Sequence, residues 1–185
     1  MLETDNWYVI PTMGCLTVGY VLLVTKQHYL SLAGLDRGPY LEMLDLKRTV
    51  EEILFRRLGT RCLTFEHGTA DPGSRGANSV SHAHVHLLPF AQPVWQDILP
   101  QLPAAEVEAV GSYGELWANW QKHTPGSYLL FQDLDQRIYY IPDAHEMPSQ
   151  LFRRCLAPLL GADCWDWRRE HYPENIVRTI GLFEP

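Results

Sequence analysis

The run His-Ala-His-Val-His-Leu-Leu at residues 82–88 limits the possible structure and function of this chain more than any other stretch. Histidines alternate with apolar residues along it, and a period of two is typical of a β-strand with one polar and one buried face. The strand is therefore expected to carry three imidazole rings on one face, those of His82, His84 and His86. A strand that only packs a core has no need of three titratable rings. The pattern thus indicates a site for a charged substrate.

Length and composition limit what can surround this strand. The chain has 185 residues, of which 46% are hydrophobic, enough for one core and an appended part. Its formal net charge of −7 argues against nucleic-acid or membrane binding, because both need a basic surface. Four cysteines lie scattered without a CxxC pair, the first residues show no signal-peptide pattern, and no apolar stretch is long enough to cross a bilayer. These features predict a cytoplasmic protein with reduced thiols.

The first half of the chain is predicted as a meander around one sheet. Hydrophobic periodicity and the positions of Gly and Pro indicate, in order, a hairpin, a helix, a strand, a glycine-rich loop and the histidine strand. The hairpin strands are expected at 7–10 and 16–25, the helix at 39–58 with Gly59 as its stop, the third strand at 61–66, the loop at 67–78 and the histidine strand at 78–89. An antiparallel sheet with a helix packed on it belongs to the α+β class.

The second half is predicted as an α/β extension packed against this unit. After a proline-broken segment, the pattern indicates a helix at 104–122, a hairpin at 127–132 and 137–141, a helix from Ser149 to Leu160 and a last helix from Pro173. We therefore divide the chain into a first domain, 1–95, and a C-terminal extension, 96–185. Adjacent Arg153 and Arg154 would point about 100° apart on their helix, so at most one of them would contact a phosphate or nucleotide, and we favour a solvated helix face over that alternative.

The histidine run resembles the motif of the histidine triad (HIT) superfamily, His-φ-His-φ-His-φ-φ with φ apolar. Pro89 follows it, as is common in that family. Residues 19–28 resemble the family's second strand, usually Gly-His-φ-φ-φ-φ-Pro-Lys-x-His, and residues 78–80 stand where many members have Gln-Ser-Val or Gln-Thr-Val. The resemblance covers residues 7 to 89, under half of the chain, and implies a HIT-like fold.

The resemblance also implies phosphoryl chemistry on a nucleotide. Family enzymes are hydrolases or nucleotidyltransferases that act at the α-phosphate through a covalent phosphoryl-histidine, and the nucleophile would be His84. A neutral imidazole suits that role near pH 7. His82 and His86 would orient it and hold phosphate oxygens. Ser79 would donate a hydrogen bond to the leaving group, and Asn78 would contact the phosphate or the bridging atom.

Three positions depart from the family pattern. Tyr20 replaces the histidine of the Gly-His pair, and we interpret it as a packing residue. Thr12 stands where an acid often binds the ribose hydroxyls, and His67 stands in the segment that is usually Asn-x-Gly. His67 is therefore expected as a fourth histidine of the site, contacting phosphate or nucleotide. His28, at the end of the second strand, is interpreted either as a further such contact or as a surface residue.

Several alternatives stay open at this point. The chain is either an enzyme on nucleotides, a nucleotide-binding protein without turnover, or an enzyme on a non-nucleotide phosphate ester or phosphoramidate. Its expected partner is in each case a small-molecule nucleotide or phosphorylated substrate. Many family members are symmetric dimers, and the added half would either form such an interface in a homodimer or replace it.

A metal site is a further alternative, because His-x-His on a strand is a familiar zinc-binding spacing. Three such residues span about 13 Å at about 3.3 Å per residue, so one strand cannot easily bring all three to a single ion. His67 or Asp71 would have to complete the site. We therefore predict no metal and no other cofactor, and a purely structural role for the histidines is the remaining alternative.

Overall fold

The computed structural model describes residues 1–70, 82–102, 106–123 and 125–184. The strands are β1 (Trp7–Pro11), β2 (Val21–Thr25), β3 (Cys62–Thr69), β4 (His84–Pro89), β5 (Glu108–Val110), β6 (Ser127–Gln132) and β7 (Ile138–Pro142). The α-helices are α1 (Arg37–Leu58), α2 (Trp95–Ile98), α3 (Tyr113–Lys122), α4 (Leu151–Leu159) and α5 (Pro173–Gly181). Short 3₁₀ turns cover Leu32–Gly34, Leu99–Gln101 and Ala144–Glu146.

Within these described ranges, the strands form one seven-stranded antiparallel sheet in the order β1-β2-β4-β3-β6-β7-β5. The prediction of an α+β protein with an antiparallel sheet is confirmed. In the middle of the sheet β3 pairs with β4 on one side and with β6 on the other, so both halves of the sequence contribute to a single layer. The division at residues 95 and 96 stays a prediction, and it would run through this sheet.

Each face of the sheet carries its own apolar cluster, because side chains alternate along every strand. One cluster joins the sheet to α1 and α3 and includes Val85, Leu54 and Trp120. The other joins the sheet to α2 and α4 and includes Phe65 and Phe152. The imidazoles of β4 lie on the second face, since Val85 between them is fully buried against the first cluster.

Several predicted elements are confirmed with small shifts of their ends. α1 ends at Gly59, whose φ of +69° is the left-handed conformation that favours glycine at this position. The hairpin of the second half is present as β6 and β7, and α5 begins at Pro173 as predicted. The residue preceding α4 is Gln150 rather than Ser149.

Other boundaries were predicted wrongly, for local physical reasons. β2 begins only at Val21, because Gly19 takes a φ of +90°, which turns the chain before the strand. The helix expected from residue 104 begins at Tyr113, where the Ser112 hydroxyl accepts a hydrogen bond from the Glu115 N–H, and β5 precedes it. The start of the predicted glycine-rich loop belongs to β3, which runs to Thr69.

Among the helices in the described ranges, none combines the length and the apolar character that crossing a membrane would require.

Candidate functional site

A cavity opens on the sheet face that carries the histidines, between the strands and the second half of the chain. β3 and β4 supply one wall with Phe65, His67, His84 and His86, and the N-terminal end of α4 lies opposite. The remaining wall is largely apolar, with Ile10, Met13, Leu22, Leu129, Leu151 and Phe152. The cavity therefore sets histidine nitrogens beside a surface that suits an apolar or aromatic group.

The register of the sheet explains why these side chains meet. Leu22 pairs with His86, and His86 pairs with Phe65, so the three form one row across β2, β4 and β3. Residues two positions along a strand stay on the same face, which brings His84 and His67 into the next row. The electrostatic influence of His84 on His67 agrees with this neighbourhood.

His84 has a defined orientation and a defined proton position. Its Nδ1 lies 3.0 Å from the backbone carbonyl oxygen of His82. A carbonyl can only accept, so Nδ1 carries the proton and donates it, and Nε2 keeps a lone pair. Burial lowers the pKa of His84, partly opposed by this hydrogen bond, and so favours the neutral ring. His84 thus offers one unprotonated nitrogen for bond formation.

His86 is held from two sides. Its ring stacks on Phe65 with centroids 4.5 Å apart and planes 10° apart, and its Nδ1 lies 2.8 Å from the hydroxyl of Tyr20. Burial places the pKa of His86 well below its usual value, and both His84 and Arg153 lower that pKa further. The interpretation of Tyr20 as packing alone was incomplete: its ring is fully buried, yet its hydroxyl contacts a site histidine.

His67 lies in the cavity wall, in the place predicted for a fourth histidine. Burial lowers the pKa of His67 to about 4, against the effect of a hydrogen bond with the backbone of Ala144. Its Nε2 is buried and finds no hydrogen-bond partner within the described ranges. The structure therefore brings together His67, His84 and His86, with all three rings favoured in the neutral form.

His82 and His28 lie apart from this group, beyond the start of β4. Their rings contact each other with centroids 4.1 Å apart, and Nδ1 of His82 lies 2.8 Å from the Thr25 carbonyl. Neither side chain belongs to the described lining of the cavity. His82 reaches the site through its backbone carbonyl, which holds His84. Side-chain roles for His82 and His28 stay predictions. Ser79 and Asn78 fall outside the described residues.

Arg153 lines the cavity, which is the less favoured of the two interpretations that the sequence allowed. It lies on α4, is only 3% exposed, and lines the cavity, so its interpretation as part of a solvated face was wrong. Its Nε donates to the Trp165 carbonyl at 2.9 Å and its Nη2 to the Gly14 carbonyl at 2.7 Å. Nη1 is buried and makes no hydrogen bond within the described ranges. Arg154, the next residue, is exposed.

Thr12 also lines the cavity, at the position of the family's ribose-binding acid. It is 4% exposed, and its hydroxyl donates to the Met13 carbonyl at 3.0 Å. No carboxylate belongs to the cavity lining within the described ranges. Among the described lining residues, a substrate would therefore meet the arginine, neutral imidazoles, a few uncharged polar side chains and a largely apolar wall. This combination suits an anionic group attached to an apolar one.

Two further results bear on the site. In the described parts of the chain, no three His, Cys, Asp or Glu side chains come together as ligands of one metal ion would. Comparison of the sequence with known protein families and with curated proteins finds no match.

Proposed function

We propose that this protein transfers or hydrolyses a phosphoryl-linked group through a covalent intermediate on His84. The observation that carries the proposal is the 3.0 Å contact between Nδ1 of His84 and the His82 carbonyl oxygen. Because a carbonyl can only accept, Nδ1 donates there, and the Nε2 lone pair remains on a ring that lines the cavity. This arrangement provides a nucleophile at neutral pH without prior loss of a proton. The resemblance to the HIT superfamily supports the same assignment.

The first step forms a bond between Nε2 of His84 and the phosphorus. The bond from phosphorus to the leaving group breaks with its electron pair, and the predicted role of Ser79 is to donate a hydrogen bond to that group. In the second step the oxygen of water, or of another acceptor, attacks phosphorus and gives its proton to the solvent. The phosphorus–nitrogen bond then breaks and returns the lone pair to His84. Donors around the phosphoryl oxygens stabilise the charge in both steps.

The experiment is to incubate the protein with radiolabelled nucleoside phosphoramidates and dinucleoside polyphosphates and to quench it rapidly. We expect a phosphoryl-histidine in the parent and none in His84→Ala, with turnover reduced at least about 10³-fold. His123→Ala is the matched control, because His123 is exposed at the end of α3, on the opposite face of the sheet. Equal turnover by His84→Ala and the parent would refute the nucleophile. Nucleotide binding without any trapped intermediate would favour a protein that binds but does not react.

A second candidate is an enzyme on a non-nucleotide phosphate ester or phosphoramidate. The observation that favours it is Thr12, whose hydroxyl is engaged by the Met13 carbonyl where a ribose-binding carboxylate would be needed. A panel of phosphorylated metabolites, compared with AMP and GMP derivatives, separates the two candidates. A preference confined to nucleotides would reject the second one.

A further inference from the structure

Tyr20 and Arg153 form a line of contacts that ends on His86. The Tyr20 hydroxyl lies 2.8 Å from Nδ1 of His86. The guanidinium of Arg153 lies over the Tyr20 ring, with Cζ 5.6 Å from the ring centroid, and its charge acts on the Tyr20 phenol. Burial raises the pKa of Tyr20 to about 12, although Arg153 acts to lower it, so the phenol keeps its proton at neutral pH.

Arg153 is fixed in this place by backbone groups of distant segments. Its hydrogen bonds to the carbonyls of Gly14 and Trp165 leave the guanidinium little freedom to turn. Gly14 has a φ of +68°, a backbone conformation that favours glycine. A Cβ at this position would also lie 2.6 Å from Nη2 of Arg153, so a larger residue would clash with the guanidinium. The positive charge beside Tyr20 is therefore a built feature of the fold.

The positive charge of Arg153 determines the direction of the Tyr20 O–H bond. A guanidinium stays protonated and has no lone pair to offer, so it can only attract the lone pairs of the hydroxyl oxygen. The O–H bond then points away from Arg153 and toward Nδ1 of His86, which must accept. Since burial favours the neutral imidazole, the single ring proton of His86 resides on Nε2. Within the described ranges, the charged or titratable groups that act on His86 are Tyr20, Arg153 and His84.

We propose that Tyr20 and Arg153 are positioning residues that hold His86 as the Nε2–H tautomer, opposite to the tautomer of His84. The two adjacent rings, with centroids 5.1 Å apart, then have different tasks. His84 presents a lone pair for attack, whereas His86 presents an N–H to a phosphoryl oxygen. With the other tautomer, His86 would turn a lone pair toward that oxygen and repel it. The assignment of tasks rests on the proposed function, but the tautomer itself does not.

The test is ¹⁵N NMR of the histidine side chains in the free protein near pH 7.5, with signals assigned by single His→Gln substitutions. We expect the parent to show Nδ1–H for His84 and Nε2–H for His86. In Tyr20→Phe, which keeps the buried ring but removes the hydroxyl, the His86 signals should move to a mixture of tautomers. Tyr139→Phe is the matched control, because Tyr139 lies on the same sheet face but stacks on Trp95 and should leave His86 unchanged.

Two arginine variants complete the design. Arg153→Lys keeps a charge and should largely retain the His86 tautomer, while Arg153→Met should lose it. If Arg153→Met fails to fold, Tyr20→Phe decides alone. With a substrate in hand, Tyr20→Phe should lower kcat about 10–100-fold with little change in KM. An Nδ1–H tautomer of His86 in the parent, or an unchanged tautomer in Tyr20→Phe, would overturn the proposal. The expected tautomers without any turnover would instead reject the proposed function and leave the tautomer assignment standing.

Discussion

Glu66 places a carboxyl group inside the apolar layer between the sheet and α1, on the face opposite to its neighbour His67. It is 2% exposed and accepts hydrogen bonds from the Leu32 N–H at 2.8 Å and the Tyr128 O–H at 2.6 Å. Burial raises the pKa of Glu66 to about 7, and the two hydrogen bonds only partly oppose it. The folded protein therefore prefers the neutral carboxyl group.

The raised pKa makes stability depend on pH in a stated direction. The unfolded chain loses the Glu66 proton near its usual value of 4.5, while the folded chain keeps it until about pH 7. The stability that the protonated Glu66 contributes is thus fully present below pH 4.5. As pH rises to 7, about 3 kcal/mol of the free energy of unfolding is lost. We expect Glu66→Gln, measured by urea unfolding from pH 5 to 7.5, to gain about 2 kcal/mol of stability over the parent across this range, because part of the effect has already occurred at pH 5.

The comparison must be made between variants, because other groups titrate in the same range. Burial lowers the pKa values of His67, His84 and His86, so their contribution to stability increases with pH and opposes that of Glu66. Glu52→Gln, which removes an exposed carboxylate from α1, is the control and should run parallel to the parent. If the free energy of unfolding of Glu66→Gln changed with pH in the same way as that of the parent, the expectation would be contradicted.

Individual residues also show how far the sequence could predict the site. The period of two placed His84 and His86 together, because alternation along a strand is a local property. The same rule failed to put His82 with them, since β4 begins only at His84. Arg153 could not be found this way: its direction depends on the Gly14 carbonyl, which lies 139 residues away in sequence. Tyr20 offered one signal, its place in the family's Gly-His pair.

At the scale of elements, β3 and β6 are held together by a close contact at Gly68. In the sequence this glycine suggested a loop, but the structure places it inside β3, paired with Tyr128 of β6. An added Cβ would overlap the Tyr128 ring. That ring's hydroxyl donates to Glu66 and accepts from the Ala33 N–H. Gly68 is thus required for close packing of a side chain over the strand.

We expect Gly68→Ala to destabilise the protein by about 1–3 kcal/mol, because the Tyr128 ring must shift from its position over the strand. Chemical denaturation followed by circular dichroism measures the loss. Gly126→Ala is the matched control, since Gly126 lies beside the start of β6 and a Cβ there would meet no atom within 4 Å. Equal stability of the two variants would show that Tyr128 does not depend on this glycine.

Element boundaries illustrate why the rest of the fold escaped prediction. Elements with strong periodicity, such as α1 and the β6–β7 hairpin, were predicted within a few residues. β5 was not predicted because a segment of three residues is too short to show a hydrophobic period. It forms a strand because it pairs with β7. The order of strands in the sheet, with β6 beside β3, is likewise set by contacts between segments about 60 residues apart, for which the sequence pattern gives no rule.

At the scale of the whole molecule, the two halves share one sheet and one site. β3 pairs with β6 from Thr64 and Gln132 to Thr69 and Ser127, and Phe65 packs against both Phe131 and Phe152. Removing the second half would expose a central strand on one edge and uncover the apolar face that α2 and α4 now cover. It would also remove Arg153 and so the charge beside Tyr20.

We therefore expect a fragment of residues 1–95 to lack cooperative unfolding, although the sequence pattern and the HIT resemblance predict a domain of this extent. An unpaired central strand and an uncovered apolar face both favour aggregation, and most of the cluster around Phe65 would be lost. Urea titration of the fragment, of residues 96–185, of their mixture and of the full chain tests this. The full chain should unfold in one cooperative transition, and neither fragment alone should show such a transition. The mixture of the two fragments should show a cooperative transition of smaller amplitude than the full chain. A fragment 1–95 with a sharp transition of its own would show instead that the first half is an independent domain and that the second half only completes its site.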